Sequence, residues 1–172
     1  MTRDLNSLSI IKKNLEQKCK TSKELIELGY KNNDLPNKNN GAYLVGYVFE
    51  LFIKIALGCT YGKDSLNNLP RKESERRPKW KSHVGSEDFN WAKIKIKHSK
   101  LQSVISLKKI DELKLNNHDV NTFRYDPDYT LSNYLNDPTQ SDEQCKEKIV
   151  NEILYLERAL KGIYDKYKPL FK

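Results

Sequence analysis

GAYLVGYVFELFIKIALG, from Gly41 to Gly58, is apolar almost all the way round a helix, broken only by Glu50 and Lys54. The run from Ala42 to Leu57 is long enough to be a helix rather than a strand, and Gly58 offers a stop. A helix that is greasy on every side belongs at the centre of a bundle. The run is also shorter than the roughly 20 residues that cross a bilayer, and its two charges argue the same way, so it reads as core and not as a membrane span.

The flanking segments supply what would pack around such a rod. Leu5, Leu8, Ile11 and Leu15 recur at helical spacing, and Ser22 then precedes Leu25, Ile26 and Leu28 before Gly29, which fits two helices or one broken helix. KNNDLPNKNNG, residues 31–41, combines Asn, Asp, Pro and Gly and is expected to be a loop. After the central run, Tyr61 to Asn90 holds Gly62, Pro70 and Pro78 with many charges and few aliphatics, which reads as an inserted basic loop. Trp91 to Lys97 alternates apolar and basic residues, as an exposed strand or hairpin arm would, or forms the first turns of a helix. Helical spacing resumes from His98 through Leu101, Val104, Ile105, Leu107, Ile110 and Leu113 until Asn116 and Asn117. Polar turn residues follow to Asp142. The last segment carries Ile149, Ile153, Leu154, Leu156, Leu160 and Ile163 on a broad apolar stripe, with Ser141 as its N-cap and Pro169 past its end. No internal repeat of fixed period is present.

These segments predict an all-α chain: an antiparallel bundle of four to five helices, with a short strand or β-hairpin in the 61–97 insertion. At 172 residues the chain suits one domain, 1–172, with the basic loop at 61–90 inserted in it. The apolar share of 37% supports a real core, while the 31% charged share and mean hydropathy of −0.79 imply a heavily solvated surface. Met1 to Asn14 is polar and lacks the form of a signal peptide, so the expected location is cytoplasmic, without a membrane. Cys19, Cys59 and Cys145 are odd in number and widely spaced, which argues against disulfides and against zinc. They read as free thiols, and no metal or cofactor is expected. A formal charge of +8 could attract an anionic partner, or reflect no more than a chain rich in Lys and Asn throughout.

In this order of segments the chain resembles the HEPN family. The glycine-tyrosine pair, the glutamate and the lysine of that family's second helix correspond to Gly46, Tyr47, Glu50 and Lys54. The histidine that opens its next helix matches His98, and the aromatic-Arg-Tyr before its last helix matches Phe123, Arg124 and Tyr125. The resemblance spans roughly residues 22–168 without the insertion. It implies a helical bundle that often forms a homodimer, occurs in toxin-antitoxin and antiviral systems, and commonly acts on RNA, at times beside a cognate protein partner.

Three groups of candidate residues follow. Glu50 and Lys54 stand four apart on one helical face in the favourable order, and with His98, Arg124 and Tyr125 they either line a pocket or fix helix register as a structural ion pair. Nuclease members of the family carry an arginine followed after four to six residues by a histidine near the last helix; here no histidine follows Arg124 or Arg158. Arg77 and His83 do have that spacing, although in the insertion, and their chemistry suits metal-independent RNA cleavage. A histidine moves protons to and from a ribose 2′-hydroxyl while an arginine, Arg77 or Arg124, stabilises the phosphate charge in the transition state. Finally, Arg71, Arg76, Lys79, Trp80, Trp91, Lys93 and Lys95 could follow a phosphate backbone and stack on unpaired bases, or form a solvated loop anchored by its tryptophans. The expected function is an RNA-associated HEPN-like component of a prokaryotic defence or toxin system, acting as an endoribonuclease. A non-catalytic binding or dimerisation module for a protein partner or a nucleotide ligand is the alternative.

Overall fold

The structure is a computed structural model that describes residues 4–70 and 139–171. Three α-helices and no strand occur among the described residues: α1 (Leu8–Lys31), α2 (Leu35–Tyr61) and α3 (Asp142–Tyr167). The all-α expectation holds for them.

Helix α1 is continuous, so the break expected at Ser22 does not occur. Ser22 is fully buried, and its hydroxyl donates to the Gly41 carbonyl at 2.7 Å rather than capping a new helix. A serine in mid-helix spends its hydroxyl on the neighbouring helix when that neighbour comes close enough. The loop expected at 31–41 also shrinks, because α2 starts at Leu35. Asp34 caps it by accepting from the Asn37 N–H, and Pro36 occupies the first turn, where a missing N–H leaves nothing unsatisfied. Turn-forming composition thus marks a helix start here, with Asn33 taking the positive φ of 51° in the short connection.

At its far end α2 runs past Gly58. Its stop is Gly62, whose φ of 62° lies in the left-handed region that a glycine enters without a Cβ clash. The amides of Gly62 and Lys63 close the end on the Cys59 and Gly58 carbonyls. At 27 residues, with a mean hydropathy of 1.6 over its most apolar window, α2 is by length and composition sufficient to cross a membrane. The shorter span read from Ala42 to Leu57 missed the added turns at both ends. Within the fold, 72% of that window is buried.

Helices α1 and α2 form an antiparallel hairpin held at very short range. A Cβ placed on Gly29 would lie 2.6 Å from the Lys38 backbone nitrogen, one on Gly41 would lie 2.5 Å from the Ile26 side chain, and one on Gly58 would lie 2.6 Å from a Leu8 methyl. Fully buried side chains from both helices, Leu15 of α1 and Phe52 of α2 among them, add to the core, each worth about 1.5–3 kcal/mol against exposure. Helix α3 begins as expected at Ser141, in a reciprocal capping box with Gln144. It runs antiparallel to α1: Lys146 lies over the Tyr30 ring, Lys23 bonds Glu157, and Lys12 lies over the Tyr164 ring. Helices α2 and α3 therefore point the same way, and the end of α2 and the start of α3 are at opposite ends of the bundle.

After α2 the chain makes a 3-10 turn, Leu66–Asn68, rather than a strand. An isolated antiparallel bridge joins Ser7 to Ser65, and Asp4 gathers the Ser65 hydroxyl at 2.6 Å and the Asn67 amide at 3.0 Å. This ties the entrance of α1 to the exit of α2. The strand or hairpin expected within 61–97 is not found over residues 61–70, and residues 71–97 lie outside the described residues.

Candidate functional site

Of the polar cluster read from the sequence, the structure places Glu50 and Lys54. Both are on α2, one turn apart, and the Lys54 ammonium donates to Glu50 Oε1 at 2.5 Å. Their side chains are 9% and 15% exposed, Glu50 and Lys54 in order of sequence, so the pair is almost closed to water. Removing two charges from water is costly, and the direct contact offsets that cost. Chemically the pair offers a carboxylate able to take up a proton and an ammonium able to balance a phosphate, but each group is already committed to the other.

His98, Arg124 and Tyr125, the expected companions of this pair, lie outside the described residues. So do Arg77 and His83, and with them the basic and aromatic residues Arg71, Arg76, Lys79, Trp80, Trp91, Lys93 and Lys95. The family-like pair Gly46 and Tyr47 is described: Gly46 is buried and Tyr47 is partly exposed, one turn before Glu50.

The geometry adds residues that were not singled out. Tyr43 and Tyr47 share a face of α2, their hydroxyls 2.8 Å apart and their rings edge to face with centroids at 5.1 Å. From α1 the Lys18 ammonium lies over the Tyr47 ring, 5.1 Å from its centroid. Tyr43, Tyr47, Glu50 and Lys54 recur at spacings of four, three and four, so the polar groups of the apolar run from Ala42 to Leu57 lie in one stripe. The i, i+4 tyrosine pair was visible in the sequence; the arrival of Lys18 from another helix was not.

A groove of about 380 Å³ between α1 and α3 is lined by Lys12, Glu16, Glu157, Leu160, Lys161 and Asp165, with Lys12 paired to Glu16 and Glu157 to Lys23 beside it. Three thiols are buried and free of disulfides. Burial pushes Cys19 up to about 12, with the Glu157 carboxylate adding to the effect, and burial likewise pushes Cys59 up to about 12. Such thiols are protonated and poor nucleophiles at neutral pH. No group of three or more His, Cys, Asp or Glu side chains suited to a metal ion occurs among the described residues. No protein-family model, curated protein or solved structure matches the chain.

Proposed function

We propose that the chain is an RNA-associated, HEPN-like component of a prokaryotic defence or toxin system, working in the cytoplasm as a homodimer and cutting RNA without a metal. The observation that carries this reading is the Glu50–Lys54 pair, a charged couple kept inside an otherwise apolar central helix one turn after Gly46 and Tyr47. It stands where the family resemblance puts its polar residues. Arg124 with Arg77 and His83 are the proposed catalytic groups, and the basic, tryptophan-containing segment around Arg71, Arg76, Lys79, Trp80, Trp91, Lys93 and Lys95 is the proposed RNA surface.

The bundle in this reading has four to five helices: α2 and α3 run in the same direction, as the second and last helices of an antiparallel four-helix bundle do, and the helical spacing read from the sequence between His98 and Leu113 supplies a further one.

The test is degradation of total RNA by the purified full chain. Loss of cleavage in Arg77→Ala, His83→Ala or Arg124→Ala at unchanged melting temperature supports the enzyme. An inert wild type, released from RNA by modest salt, removes it and leaves only weak electrostatics. The near closure of Glu50 and Lys54 favours a second reading in that event: the pair fixes register in a non-catalytic module that serves a protein partner or a nucleotide. Thermal stabilisation by a nucleotide would identify that case.

A further inference from the structure

We draw no further inference here: the strongest candidate, the partly exposed stripe of Tyr43, Leu44, Tyr47 and Leu51 along α2, carries nothing, because its two phenols bond each other and nothing in the structure shows what covers the apolar positions beside them.

Discussion

Replacing Gly29 by alanine adds one methyl group, and the structure fixes where that methyl must go. It would lie 2.6 Å from the Lys38 backbone nitrogen and 2.9 Å from the Asp34 carbonyl oxygen, the first of which is about 0.8 Å inside ordinary van der Waals contact at 3.4 Å. Both atoms belong to the backbone of the α2 start, where the Asp34 amide already donates to the Gly29 carbonyl at 2.7 Å. Neither can rotate away, so α1 and α2 must separate at this end. Overpacking of this kind costs about 1–3 kcal/mol, and the rigid neighbours put Gly29→Ala at the upper end. Better helix propensity of alanine over glycine returns about 1 kcal/mol, leaving a net loss of about 2 kcal/mol. For a chain of this size that is a fall in melting temperature of about 4–8 °C by differential scanning calorimetry. Gly58→Ala is the internal comparison, because its added methyl meets side-chain atoms of Leu8 and no backbone. It should lose less than Gly29→Ala. Equal melting of both variants, or a Gly29→Ala protein as stable as wild type, would refute the close-packed hairpin.

Other perturbations bear on the buried charges and thiols. Lys54→Met should destabilise by about 3–5 kcal/mol in urea, because it strips the ammonium from the buried Glu50 carboxylate, whereas Glu50→Leu together with Lys54→Met should recover most of the loss. A double variant as unstable as the single one would show that the pair contributes more than compensation for its own burial. The thiols give a pH dependence with a definite sign: Cys19 and Cys59 have ordinary values of 9.0 and stand near 12 in the fold, so the folded state holds their protons more tightly. Their contribution to stability is complete below about pH 9 and is lost as pH rises from there toward 12. Cys19→Ala with Cys59→Ala should flatten that alkaline fall, read as melting temperature against pH; an unchanged slope would count against their protonated burial. Asp4→Ala should release the Ser65 and Asn67 side chains and speed amide exchange at Leu66, whose N–H donates to the Asn6 carbonyl, while leaving exchange in mid-α2 unaltered.

What was legible in the sequence was the part written in period and in caps. The stripe of Ile149, Ile153, Leu156, Leu160 and Ile163 and the N-cap Ser141 each specify α3 locally, and the all-apolar run announces α2 as the central element. Residues whose role is settled by a neighbour were read wrongly. Ser22 has the chemistry of an N-cap and is a buried hydrogen-bond donor to α2, and Gly58 has the chemistry of a stop and is a socket for Leu8. The stretch 31–41 failed for a different reason: Asp34 and Pro36 are turn formers and helix starters alike, and the choice between the two depends on whether an apolar face follows. At the site, Glu50 and Lys54 were legible because both are on one helix. The contact of Lys18 with Tyr47 joins residues distant in sequence, and no local pattern encodes it.

An apolar helix has a weakness that its polar stripe answers. With hydrophobic side chains on every side, α2 could rotate or slide by a turn against its neighbours and still bury most of its surface, since burial by itself has no direction. Three features remove that freedom at separate points. Backbone contacts at Gly29 and Gly41 fix the axial position against α1, the Ser22 hydroxyl bound to the Gly41 carbonyl fixes the rotation, and the stripe of Tyr43, Tyr47, Glu50 and Lys54 must meet the groups that can satisfy it. Any rotation would carry the Glu50–Lys54 pair or the two phenols into apolar packing at a cost of several kcal/mol, more than such a slip could regain. The same residues that hold α2 in one register therefore hold the phenols and Lys18 in one geometry.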